Sequence, residues 1–408
     1  MHQITFEFET PLPAGALDAA TGFEIGWDFA HHALTPPAEH MLPGSPLAQG
    51  WNAGRATFGV RTIAPTRYTR KWLQLRLNAW RRGRVFEELQ VTPNYLRQID
   101  VARCPITREA LTQATCTPSD ASIDRVRNDA GYAAGNLAVM SARANTAKGD
   151  ADFDAALARM RDAEAVDGDA ARAAPGANPD RDGLSAAQWA RVAVLCSFVT
   201  ELPHAQAAGL PLLVLPPNRL RMFNPVQALQ ALVTRQFELP GWRTRVARLV
   251  ALVPGKRARR DFHVFTTALL PRLIEARAQG DADATRWALE DAWRNPLVLR
   301  CWRRFALQLD REQAERIVLR ASALHVGERI AVATNFEQAT EGWGLAQRGY
   351  VAAGGAATAA PRRVRRAPGR PNAPLGNVHA RGEAAPVPAS IQVPFGAAAS
   401  AARAAACA

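Results

Sequence analysis

The chain has 408 residues and a formal net charge of +13. No uninterrupted apolar run reaches the roughly 18 residues of a membrane span, and Met1-His2-Gln3-Ile4 lacks the basic and apolar segments of a secretory leader. Cys104, Cys116, Cys196, Cys301 and Cys407 are odd in number, widely spaced and without a CxxC pair, which argues against a disulfide framework and a four-cysteine zinc knuckle and fits a reducing cytoplasm. The charge suggests a polyanionic partner, although scarce lysine beside heavy Arg, Ala and Pro use is also what a GC-rich coding sequence yields.

In chain order, Ile4, Phe6 and Phe8 alternate with polar residues, the pattern of a half-buried strand that Pro11 and Pro13 end. Residues 23–58, rich in Gly, Pro and aromatics, read as an irregular, loop-heavy stretch. Within it, His31, His32 and His40 offer ligand chemistry with Asp28 or Glu39, but fit surface or aromatic packing better. Tyr68 to Leu89 reads as a helix, with Trp72, Leu73, Leu77 and Trp80 near helical spacing. Its tryptophans fit a core stripe better than a base-stacking platform. Arg70, Lys71, Arg76, Arg81 and Arg82 fill its other faces, and the arginines are the candidates for phosphate contacts. Pro93 ends it, and Asn94 to Ile99 form one more turn.

Residues 120–149 carry the informative pattern. Ser122 to Val126 is a short, partly β-branched strand, and Asn128-Asp129-Ala130-Gly131 and Gly135-Asn136 are turn chemistry. Leu137, Val139 and Met140 form a second strand, and Ser141 or Ala142 opens a helix through Asn145 and Lys148. The result is a ββα unit. Such a unit can bring a strand carboxylate, Asp124, and a helix carbonyl oxygen, Asn145, over a cation such as Mg²⁺, which polarises a scissile phosphate. Lys148, about one turn after Asn145, is then expected beside the phosphate.

Asp152 to Ala165 is polar and helix-prone, and residues 166–183 read as a linker. Residues 184–350 read as an all-helical domain, with start signals at Ser185, at Asn224 followed by Pro225, and at Asp310 with Gln313. Lys256, Arg257, Arg259 and Arg260 form a short basic run after Pro254-Gly255, read chiefly as a helix end or a solvated face. Residues 351–408 lack the apolar content for a core and are predicted to be disordered, with a basic cluster at Arg362, Arg363, Arg365, Arg366 and Arg370. The predicted architecture is therefore α+β: an N-terminal region over 1–165, a linker, an all-helical domain and a disordered basic tail.

The run of Asp124 with Val126, Gly131, Asn136-Leu137, Asn145 and Lys148-Gly149 resembles the HNH (ββα-metal, His-Me finger) endonuclease family. Cys104-Pro105-Ile106-Thr107 and Ser122-Ile123-Asp124-Arg125 resemble a variant found in phage and bacterial open reading frames. The resemblance covers residues 104–149. It implies a ββα-metal-like finger acting on DNA, with Mg²⁺ or another divalent cation held by Asp124 and Asn145. It further implies a structural Asn136 that ties the loop, and phosphate contacts from Lys148, with Arg127 and Arg143 as further nucleic-acid-binding residues. One departure is serious: Arg125 stands where the family has its general-base histidine. Arginine stays protonated and cannot accept a proton from water, though it can stabilise transition-state charge as a member of the catalytic set. Asp120, Asp129 and the distant histidines are the remaining candidates for activating water. The paired cysteines that brace many HNH fingers with zinc are also absent, with Met140, Ser141 and Arg143 near the place of the second pair. Three expectations follow: a metal-dependent DNA nuclease, weakened or silenced by Arg125; a catalytically silent nucleic-acid-binding protein; or a helical interaction protein with a vestigial finger.

Overall fold

The computed structural model describes residues 18–170, 183–238, 240–278, 282–326 and 330–351. The strand expected at Ile4–Phe8 and the tail from 352 onward lie outside them. The described chain opens with two packed helices, α1 (Ala19–His31) and α2 (Pro46–Phe58), where the sequence predicts loop. Asp18 caps α1 by accepting from the Ala20 and Thr21 amides; Ser45 caps α2, with Pro46 in its first turn. The glycines taken as loop residues are contact points between the helices. A Cβ on Gly26 would run into the Leu47 carbonyl, and one on Gly50 into that of Phe23.

The next helix, α3 (Arg67–Arg81), starts at a Thr66 capping box and stops short of the predicted Leu89, where Gly83 takes a φ of +59°. Leu73, Leu75, Leu77 and Ala79 are buried. Trp72 and Trp80 donate their indole N–H groups to the Val91 and Asp18 carbonyls at 2.8 and 2.9 Å. Arg76 is no surface cation: it is buried against Trp72 and pairs with Asp28 and Glu88. Helix α4 (Pro93–Ile99) follows, capped by Thr92.

Strands β1 (Ala121–Arg125) and β2 (Leu137–Ser141) pair antiparallel, with Ile123 opposite Val139 and Asp124 opposite Ala138. Helix α5 (Ala142–Lys148) leaves β2 directly, because Ser141 accepts from the Ala144 amide and caps it. Helix α6 (Phe153–Ala170) runs into the predicted linker, of which residues 171–182 are not described.

Eight helices and two short strands follow: α7 (Ala186–Phe198), α8 (His204–Gly209), β3 (Arg221–Met222), α9 (Pro225–Gln236), α10 (Trp242–Leu252), α11 (Lys256–Ala278), α12 (Ala282–Ala292), α13 (Pro296–Ala306), α14 (Arg311–Ala323) and β4 (Ala331–Val332). A last short helix, α15 (Phe336–Ala339), follows β4. Strands β3 and β4 pair in parallel, so the segment predicted as all-helical contains a small sheet. The fold is mixed helix and sheet, and mostly helical. Capping boxes close at Ser185/Gln188 and Asp310/Gln313. Asn224 precedes Pro225, but its side chain turns inward, donating to the Ser197 and Thr200 carbonyls and accepting from the Leu202 amide.

The largest hydrophobic cluster among the described residues runs from Ile106, Val126, Met140 and Phe153 through Trp189 and Phe198 to Trp293, Trp302 and Trp343, while a second joins Leu137 and Val139 of β2 to Leu75, Tyr95 and Ile99 of α3 and α4, and a third packs α1, α2 and α3 around Ile25 and Leu47. The β1–β2–α5 unit therefore shares its interior with the helices that follow it. The segment after α15 returns to this unit: Trp343 donates to the Ala134 carbonyl at 3.1 Å and accepts from the Gly131 amide at 2.7 Å. No helix among the described residues is long and apolar enough to cross a membrane.

Candidate functional site

The loop from Val126 to Asn136 is organised by its last residue. Asn136 is fully buried; its Oδ1 accepts from the Arg127 amide at 2.9 Å, and its Nδ2 donates to the Arg127 and Gly131 carbonyls at 3.0 and 3.1 Å. These bonds satisfy loop backbone groups that the strand ladder leaves unpaired. Arg125 braces the same loop: its Nη1 donates to the carbonyls of Asn128 and Ala130 at 3.3 and 3.2 Å, and its guanidinium lies over the Tyr132 ring.

Asp124 and Lys148 face each other inside the unit. Asp124 is 5% exposed and Lys148 is fully buried, with Nζ 3.0 Å from the carboxylate and 3.1 Å from the Arg125 carbonyl. Burial pushes the Asp124 carboxyl above its usual range, and the Lys148 ammonium pulls against that shift. The expected phosphate contact by Lys148 is thus overturned. The reason lies in helix register: Ser141 fixes the start of α5, so Ala144 and Lys148, four residues apart, both point to the core. Asn145, on the neighbouring face, donates its amide to the Ser122 hydroxyl at 2.7 Å. Ser122 and Asp124 are two residues apart on β1, about 7 Å along the strand. The helix thus engages β1 at two separate points.

These residues as arranged do not fit a divalent cation. An ammonium occupies the approach to the Asp124 carboxylate, and the Asn145 amide is committed to a hydroxyl. Among the described residues, no group of three or more His, Cys, Asp or Glu side chains is placed to hold a metal. His31 stacks on Phe58 with ring centroids 4.3 Å apart, and His40 lies beside Glu39. Burial, then the neighbouring His31, holds the His32 imidazole below its usual range, and burial does the same to His40.

Asp120 does not suit a general base either. Burial opposes its ionisation, but hydrogen bonds from the Thr112 and Thr115 hydroxyls and the Thr115 and Cys116 amides hold its carboxyl at about 2. Asp129 is engaged by Arg127, whose guanidinium donates twice to its carboxylate, at 2.7 and 2.9 Å. Arg143 donates to the Gly183 carbonyl at 3.1 Å and lies 3.6 Å from Glu109.

Two contributors had no sequence reading as partners. The buried Cys104 thiol accepts from the Thr107 amide and from the Ser141 amide and hydroxyl at 3.3–3.4 Å, stitching the Cys-Pro-Ile-Thr turn to the β2–α5 junction. Cys196 on α7 backs the unit from the helical side; burial pushes its thiol up to about 12. No family model, curated protein or solved structure matches this chain.

Proposed function

We propose that this protein binds DNA without cleaving it, and that its HNH-like β1–β2–α5 unit serves as a folding core. The buried Asp124–Lys148 ion pair carries this reading. Metal-dependent phosphodiester hydrolysis needs a carboxylate open to a cation and a group able to take a proton from water. Asp124 is closed off and already neutralised. Arg125 is permanently charged and spent on loop carbonyls. The net charge of +13 supports a polyanionic partner.

The test combines two assays on the full chain. Supercoiled plasmid with Mg²⁺ or Mn²⁺ should show no nicking by the native protein. Duplex DNA should bind at low salt, weaken steeply as salt rises, and be indifferent to EDTA. Nicking that disappears in an Asp124→Ala/Asn145→Ala variant would restore the nuclease reading. Absence of DNA binding at low salt would leave the helical interaction reading in its place.

A further inference from the structure

Resting on that DNA-binding reading, we infer that the surface that meets the phosphate backbone is the solvent face of the α11–α13 helix pair, around Arg257, Arg260, Arg300 and Arg303, and not the HNH-like unit. The first observation is where the charge lies. Residues 1–165, which contain the HNH-like unit, hold 18 Lys and Arg against 18 Asp and Glu and are neutral overall. Residues 241–326 hold 17 against 9. A GC-rich coding bias raises arginine along the whole chain and does not explain this segregation.

The second observation is what the arginines do. Around the HNH-like unit they are consumed by the fold: Arg108 pairs with Asp291 and Glu290, Arg127 with Asp129, and Arg125, Arg143 and Arg159 donate to backbone carbonyls. Arg257, Arg260, Arg300 and Arg303 are exposed and have no ion-pair partner among the described residues. An unpaired guanidinium in water keeps its full attraction for phosphate, whereas a paired one must first give up its carboxylate.

The third is geometry. Phe262 packs on Phe305, Phe265 on Trp302, and Arg304 lies 3.2 Å from the buried Asp261, so α11 and α13 run antiparallel with Asp261 opposite Arg304. On α11 the buried positions are Ala258, Asp261, Phe262, Phe265, Thr266, Leu269 and Leu273; on α13 they are Val298, Trp302, Phe305 and Ala306. Helical periodicity then turns Arg257 and Arg260, and Arg300 and Arg303, outward on either side of the Arg304–Asp261 pair. At 1.5 Å rise per residue the four fall within roughly 14 Å along the pair, the length of about four base pairs. Asp261, the acid on this stretch of α11, is 1% exposed and already taken by Arg304.

The experiment is a salt series of fluorescence anisotropy, using the full-length protein and a labelled duplex of about 30 base pairs, a length well beyond this face. Three variants are compared with the native chain: Arg257→Gln/Arg260→Gln/Arg300→Gln/Arg303→Gln, a control Arg127→Gln/Arg143→Gln, and a charge-matched tail variant with Arg362, Arg363, Arg365 and Arg366 changed to glutamine. The first should bind at least about 100-fold more weakly at moderate salt, with the slope of log K against log salt reduced by roughly 3 to 4. The control should bind like the native protein. Lysines at the same four positions should restore most of the affinity, which separates charge from any loss of folding. Native-like affinity in the first variant, or an equal loss in the tail variant alone, overturns the assignment while leaving DNA binding standing. No DNA binding by the native chain sinks the parent reading instead. Exposed Val264 and Leu297 on these helices make an anionic membrane the rival surface. Binding to phosphatidylserine vesicles without binding to DNA would also overturn the proposal.

Discussion

At the scale of single residues, Lys148 shows how a side chain's place on a helix can be legible while its direction is not. Its spacing after Asn145 and the capping serine at 141 are visible in the sequence, and so are the turn residues Asn128, Gly131 and Asn136. The direction of its side chain is not, because lysine is almost never fully buried and the default reading sends it to solvent. Only its partner, two strands and a loop earlier, explains its place in the interior. A buried ion pair is expensive to break from one side, since the remaining charge is left without compensation in a medium of low polarity. Lys148→Met is therefore expected to lower stability by about 3–5 kcal/mol, measured by urea denaturation, and Asp124→Leu/Lys148→Met to recover most of that loss. The single variant should also acquire a pH dependence. With the ammonium gone, burial is opposed only by the weaker influence of Arg125, and the Asp124 pKa rises further. Folding then favours the protonated acid, so the variant keeps its stability at acid pH and loses it as pH rises through the raised value. A Lys148→Met protein as stable as the native one at neutral pH would show that the pair is not buried in solution.

At the scale of elements, the short strands and α5 were legible because their signals are local: β-branched alternation, two turns and a cap. Helices α1 and α2 were not. Gly22, Gly26, Gly50 and Gly54 lower helix propensity by up to about 1 kcal/mol each, and a reading based on propensity assigns such a stretch to loop. What wins is close approach of two backbones, a tertiary effect that no window of sequence displays. The same substitution at two glycines should therefore differ in sign. Gly50→Ala gains helix propensity but drives a Cβ into the Phe23 carbonyl, so a net loss of about 1–3 kcal/mol is expected. At Gly209, which ends α8, a Cβ would meet nothing within 4 Å, and Gly209→Ala should be neutral or slightly stabilising. Thermal melts of the two variants side by side decide the matter. Equal effects would mean that the α1–α2 contact is looser than described.

At the scale of the whole molecule, the sequence suggests separate parts, because residues 166–183 look like a linker and the composition changes across them. The packing ties the parts together. Trp343 is fully buried, stacks on Phe223 in the helical segment with centroids 5.5 Å apart, and bonds to the loop between β1 and β2 through both its indole and its backbone carbonyl. On the other side, Arg108, next to the Cys-Pro-Ile-Thr turn, makes paired bonds of 2.7 and 2.8 Å to Asp291 at the end of α12. Ties of this kind make the stability of one part depend on the other. Residues 18–351 are therefore expected to unfold in one transition, with slow-exchanging amides of β2 and α9 reporting the same opening free energy. Trp343→Ala removes a large buried ring and should cost about 3–5 kcal/mol. Because the ring touches both parts, native-state hydrogen exchange should show that loss equally in β2 and α9. A loss confined to β2, with α9 as protected as before, would mean that the β1–β2–α5 unit and the helices fold as independent domains despite their common core.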